Sequence, residues 1–164
     1  MQSSLGFIGT GYISTVMITG LCGSQDPPEK IIVSPRNIEN AQSLASKHPQ
    51  VAVAASNQEV LDHSDLVFLA LRPDVASQVL KDLEFRSGQI VVSVMAIITQ
   101  AELIDLVSPA QEVFRAVPLP PAARQLGPLV YYPESQELGK LFQKIGKPVA
   151  VPSERDLLVL WALT

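Results

Sequence analysis

One cysteine, Cys22, is all that the 164 residues hold, which excludes an internal disulfide and a disulfide-stapled secreted scaffold. Positive charge is equally scarce. The 12 Lys and Arg are scattered against 16 Asp and Glu, for a net charge of -4, so the basic footprint of a nucleic-acid binder is missing and no nucleic-acid partner is expected. No run approaches the roughly 18 apolar residues of a membrane span, and no cationic flank precedes an apolar stretch at the N-terminus. No membrane association or targeting segment is therefore expected, and the expected compartment is cytoplasmic. With two histidines and one cysteine, no metal-ligand spacing and no Ser-His-Asp or Cys-His set emerges. His48 precedes Pro49 at a helix end and His63 sits beside Asp62, as surface or capping residues do.

What the chain has is apolar: 47% of it is hydrophobic, enough for one compact domain with a sizeable core. Leu5-Gly6-Phe7-Ile8 reads as a buried strand running into Gly9-Thr10-Gly11-Tyr12-Ile13-Ser14. Gly9 suits a tight turn, and Gly11 lets backbone N–H groups approach a pyrophosphate at a helix N-terminus. Ser14 stands where Gly or Ala is usual, small enough to keep the helix near the strand. The plain alternative is a glycine turn before a core helix.

Strand and helix then alternate. A helix over about 11–23 precedes a β-branched run, 30–34, and an Asn37-capped helix to Lys47 precedes a strand at 51–54. Ser56 opens a short helix to about His63, and Asp65–Leu71 is apolar enough to be buried on both faces, as in a parallel sheet. A helix from Pro73 to Leu83, a strand at 89–93, a helix capped by the Thr99-Gln100-Ala101-Glu102 box and a strand at 112–116 follow. The Pro-rich stretch Val117–Ala122 reads as a loop. Strands at 127–132 and 147–151 flank a helix near 136–145, and another capped helix starts at Ser153. The expected fold is α/β: a Rossmann-like, doubly wound, mostly parallel sheet of about eight strands with helices on both faces.

In such sheets ligands bind beyond the carboxyl ends of the strands. The second strand ends in Ser34-Pro35-Arg36-Asn37, with no acid to accept from a ribose 2′-hydroxyl, while a hydroxyl and a guanidinium there suit a 2′-phosphate. That favours NADP, with NADPH preferred over NADH; a solvated turn with an incidental Arg is the alternative. The fourth strand ends in Ala70-Leu71-Arg72-Pro73, the fifth in Ser93-Val94-Met95-Ala96, and the sixth runs through Arg115-Ala116-Val117-Pro118.

The order of these pieces, from Gly6-Phe7-Ile8-Gly9-Thr10-Gly11 through Ile32–Asn37, Asp65–Pro73 and Val91-Val92-Ser93 to Arg115–Pro118, resembles the N-terminal domain of pyrroline-5-carboxylate reductases over nearly the whole chain. The resemblance implies an NAD(P)-dependent oxidoreductase acting on a C–N bond, with hydride transfer from NADPH to a cyclic imine in proline biosynthesis. It implies Ile8, Gly9, Thr10, Gly11, Tyr12 and Ile13 at the pyrophosphate, Ser34 and Arg36 at the adenosine ribose or its phosphate, and Asn57 near the adenosine. Ala70, Leu71, Arg72, Pro73, Met95 and Ala96 would line the nicotinamide side.

Two departures from the family pattern fall together. Met95 and Ile97 replace an Ala and a Gly, and Leu119 replaces the Asn expected near the nicotinamide. Residues 1–152 are expected to be the dinucleotide-binding domain, and 153–164 to begin a helix leading into a missing helical domain. That domain would supply homodimer contacts and much of the small-molecule substrate site, so this chain alone would lack a complete active site. No catalytic residue is assigned. The alternatives are a non-catalytic dinucleotide-binding module, acting as sensor or partner-binding domain, and a reductase of different substrate on the same scaffold.

Overall fold

A computed structural model describes residues 4–164. Its eight strands form one sheet in the order β3-β2-β1-β4-β5-β6-β7-β8: β1 Leu5–Ile8, β2 Ile31–Val33, β3 Val51–Val53, β4 Leu66–Leu69, β5 Ile90–Ser93, β6 Glu112–Val117, β7 Pro128–Tyr132 and β8 Lys147–Ala150. The expected doubly wound α/β fold is what forms. From β1 the chain steps outward to β2 and β3, then crosses back to β4 on the other side of β1. The switch point of strand order therefore lies between β1 and β4, where a ligand crevice is expected.

Alternation along the central strands feeds two apolar layers. Phe7 and Phe68 face the layer made by α1 Tyr12–Cys22, α2 Ile38–Lys47 and α6 Gln136–Phe142, where their rings stack with centroids 4.7 Å apart. Ile8, Val67 and Leu69 face the opposite layer under α3 Asn57–Asp62, α4 Pro73–Lys81 and α5 Gln100–Leu106. Strands buried on both faces must be apolar throughout, and β1, β2 and β4 are. A third, smaller cluster sets Leu157 of α7 Glu154–Trp161 against Val117 and Val130.

Helix starts follow local capping chemistry. Asn37, Ser56, Thr99, Ser135 and Ser153 each accept a hydrogen bond from a backbone N–H in the first turn, and Thr99 with Glu102 completes a reciprocal capping box. Pro73 sits in the first turn of α4, where no N–H is missed.

Element ends are shorter than periodicity alone predicts. α4 stops at Lys81 rather than Leu83, and α6 stops at Phe142 rather than Ile145. Two features differ in kind. β7 pairs antiparallel with β6, whereas every other pairing is parallel. The stretch read as a loop is in part a 3₁₀ helix, Pro120–Arg124, packed on α1: Gln125 donates to the Gly20 carbonyl at 2.9 Å. A Cβ at Gly20 would meet the Ala122 carbonyl oxygen at 2.2 Å, so glycine is what lets the two backbones touch.

Candidate cofactor site

The turn between β1 and α1 is held by hydroxyls. Gly9 has φ +101°, and a Cβ there would lie 2.3 Å from the Ala70 carbonyl oxygen, so this position demands glycine on both counts. Its N–H donates to the Ser34 hydroxyl at 2.9 Å, and its carbonyl accepts from the Ser14 hydroxyl at 2.7 Å. Both serines are buried. Ser14, in the place usually held by Gly or Ala, thus does more than stay small. The next residue is tied to α2, because Asn40 donates to the Thr10 carbonyl at 2.8 Å.

Beyond the turn, α1 begins without the electrostatic complement that its neighbours carry. Gly11 offers no side-chain cap, and the first turn holds no acid. α2 to α7 each have at least one Asp or Glu there. Helix N-termini carry partial positive charge and free N–H groups, so an uncapped, acid-free end is left to accept an anion from outside. A Cβ at Gly11 would meet nothing within 4 Å, so the space before this end is open.

That end opens into a cleft of about 540 Å³ at the switch point, lined by Gly9, Thr10, Gly11, Arg36, Asn37, Ile38, Glu39, Ala70, Leu71, Arg72 and Val75. Among the expected cofactor residues it brings together the glycine turn, Arg36 and Ala70 to Arg72. Arg36 is exposed, and the described residues give it no carboxylate partner. Arg72 by contrast is engaged by Asp74 through two hydrogen bonds, at 3.1 and 2.7 Å, so most of its charge is answered at the rim.

Other expected residues stand apart from this cleft. Ile8 and Ser34 are buried beneath it, and Ser34 spends its acceptor on Gly9 rather than facing solvent. Asn57 and Pro73 start α3 and α4 outside the lining, and Tyr12 is 70% exposed on α1 with Ile13 half-buried beside it. The Met95 side chain is 3% exposed and packs in the layer under α4 and α5, so its bulk goes into the core. Ala96 and Ile97 are the exposed residues of that turn. Leu119 packs against the small cluster of Val117, Val130 and Leu157. Asn37, Ile38, Glu39 and Val75 were not expected in the lining. Their signal is positional, since helices starting just after β2 and β4 present their first turns to the crevice.

Next to the fifth strand end lies a buried cation. Arg115 on β6 is fully buried, donates to Glu154 at 2.5 Å and to the carbonyls of Met95 and Ala96 at 3.2 and 2.8 Å, and lies under the Trp161 ring. Burial pushes its guanidinium below the usual arginine range, while the bond to Glu154 opposes that shift. Asp62 and Asp65 bond to Gln58 and Ser4 away from the cleft. No three His, Cys, Asp or Glu gather as a metal site among the described residues, and no helix there is long and apolar enough to cross a membrane.

The profile of the family described as NADP oxidoreductase, coenzyme F420-dependent, matches residues 4–97, a span from β1 to just past β5. The chain belongs to this family. Its relatives include pyrroline-5-carboxylate reductase 3 of Danio rerio, 37% identical over 120 residues, which are 71% of this chain and 41% of that protein. The reductase of Escherichia coli strain K12 is 28% identical over 133 residues, 77% of this chain and 48% of that protein. Among solved structures, the 1-pyrroline-5-carboxylate reductase of Streptococcus pyogenes superposes with a TM-score of 0.83 at 27% identity, over 99% of this chain and 62% of that one. The resemblance to the N-terminal, dinucleotide-binding domain of pyrroline-5-carboxylate reductases therefore holds. A Plasmodium falciparum pyrroline carboxylate reductase solved with NADP bound shares the fold, with a TM-score of 0.80 at 19% identity over 96% of this chain and 60% of that one. The chain spans about half the length of the curated relatives it matches.

Proposed function

We propose that this chain is the NADP-binding domain of an oxidoreductase of the pyrroline-5-carboxylate reductase type, passing hydride from NADPH to a cyclic imine or a related small substrate. One observation carries the reading: an acid-free, uncapped helix N-terminus shares the cleft at the switch point with an arginine that has no carboxylate partner among the described residues. The α1 N-terminus suits the pyrophosphate, and Arg36 suits the 2′-phosphate through charge-assisted hydrogen bonds. When bound, the cofactor supplies the hydride, and the chain's work is to bind and orient it. The NADP held by the Plasmodium falciparum reductase supports this choice of cofactor.

The imine as acceptor is supported by the relatives, and proline biosynthesis is the process in which such a reduction falls. A further helical domain beyond α7, giving homodimer and substrate contacts, is supported by the apolar side chains left exposed at Leu158 and Val159 on α7 and at Leu163 just past it. A single half-buried cysteine is compatible with the reducing cytoplasm. Titration with NADPH followed by its fluorescence tests the reading. Saturable binding below millimolar is expected, and no binding at millimolar NADPH would sink both the cofactor and the enzyme assignment.

A second reading, a dinucleotide-binding module without catalysis, is favoured by Leu119. Its side chain packs against the apolar cluster of Val117, Val130 and Leu157, so the amide that family members carry in that place has no equivalent here. Turnover of 1-pyrroline-5-carboxylate with NADPH by this chain extended past Thr164 would exclude it.

A further inference from the structure

We propose that Arg115, Glu154 and Trp161 form a clamp through which α7 positions the turn after β5 at the nicotinamide end of the cofactor cleft. The inference rests on the cofactor reading above. With the pyrophosphate at the β1 turn and the adenosine end toward β2, the other half of a dinucleotide extends over the carboxyl ends of β4 and β5, because strand order places them on the opposite side of β1.

The side chains of the turn after β5 are anchored at Met95 and Ile98 in the core, and the Val94 N–H donates to the Leu69 carbonyl at 3.0 Å. Within it the Met95 N–H donates to the Ser93 hydroxyl at 3.2 Å, and Ala96 and Ile97 stand exposed. What fixes its carbonyls comes from β6: one terminal nitrogen of Arg115 donates to both Met95 and Ala96. Those two bonds set which way the turn's peptide planes face.

Arg115 is in turn positioned by α7. Its other terminal nitrogen is paired with Glu154, in the first turn of α7, and its guanidinium carbon lies 4.4 Å from the centre of the Trp161 ring, at the helix's other end. The same Glu154 oxygen accepts from the Gln100 N–H at 2.6 Å, so one carboxylate also holds the start of α5, the far end of the turn. A fully buried cation needs such partners, since leaving it unpaired is strongly unfavourable. Among the described residues the Arg115 Nε and the Gln100 Oε1 have no partner, which leaves the cluster incompletely satisfied. A shift of α7 therefore moves Arg115, and with it the carbonyls at the nicotinamide end. These three are positioning residues, since the structure gives them no place in the cleft lining.

The test uses Glu154→Gln, which keeps an acceptor but removes the charge, and Trp161→Leu, which removes the ring over Arg115 while leaving an apolar side chain against the small Val117, Val130 and Leu157 cluster. Amide hydrogen exchange, NADPH binding and binding of 2′,5′-ADP, which carries the adenosine end alone, are measured on all three proteins. In both variants exchange across residues 94–98 is expected to rise about threefold or more relative to β1. NADPH binding should weaken by about three- to tenfold while 2′,5′-ADP binds as before. Unchanged exchange in the turn overturns the clamp. Faster exchange with equal weakening of NADPH and 2′,5′-ADP overturns its assignment to the nicotinamide end. A wild-type chain that binds neither ligand overturns the cofactor reading instead, while the exchange comparison still tests the clamp.

Discussion

The Ser34 hydroxyl, at the end of β2, accepts the N–H of Gly9, at the end of β1, and both groups lie in the floor of the cleft. Two strand ends are thereby locked before any ligand arrives. Ser34→Ala would leave a partly buried N–H unpaired, a loss of about 1 kcal/mol of stability read by urea denaturation. Because the damage is to the shared floor, NADPH and NADH binding should weaken by similar factors. A selective loss of NADPH binding would instead give Ser34 a direct part in reading the 2′-phosphate.

Arg36 supports the opposite pattern. Its charge is exposed at the cleft and unanswered by any carboxylate among the described residues. Arg36→Ala should weaken NADPH binding by a factor on the order of 10 or more and barely change NADH, as the loss of one charge-assisted phosphate contact requires. Equal losses for the two cofactors would show that Arg36 does not read the phosphate.

At Gly20 the consequence is for stability alone. An alanine Cβ would press on the Ala122 carbonyl, so α1 and the 3₁₀ helix must separate. Gly20→Ala should cost about 2 kcal/mol or more, visible as a lower thermal midpoint, with cofactor affinity of the folded protein retained.

Cys22 tests burial through pH. Its thiol is pushed up from 9.0 to about 11 by burial. The folded state therefore disfavours the thiolate, and stability from this group is complete below pH 9 and falls as pH climbs through 9 toward 11. Alkylation by iodoacetamide at pH 8 should be slower than for a free cysteine, because the thiolate is the nucleophile. Cys22→Ala should flatten the alkaline loss of stability.

Much of the architecture was legible because its signals are local. Lys30–Ser34 and Asp65–Leu71 are β-branched or apolar runs, and Thr99 with Glu102 caps its helix through residues three apart. The direction of β7 was not legible, since strand polarity depends on how the Pro-rich connection turns. The same limit holds at the site. The glycine turn and Arg36 can be found by position after a strand, but the second roles of Ser14 and Asn40 arise from contacts to Gly9 and Thr10 formed only when helices dock. Met95 looks like an obstruction in the sequence, yet backbone direction after Ser93 sends its side chain inward. Arg115 has no sequence signal as a buried cation, because Glu154 is distant in the chain.

The flanks of the sheet bear on how copies of this chain can meet. One outer strand, β3, has three residues, and the other, β8, has four, among them Pro148, which lacks a backbone donor. Strands this short, one of them interrupted, offer little free ladder for a neighbour to extend. Any self-association must therefore be written in side-chain packing rather than in shared backbone pairing, and it should respond to substitutions at Leu158 and Val159 far more than to changes along either rim.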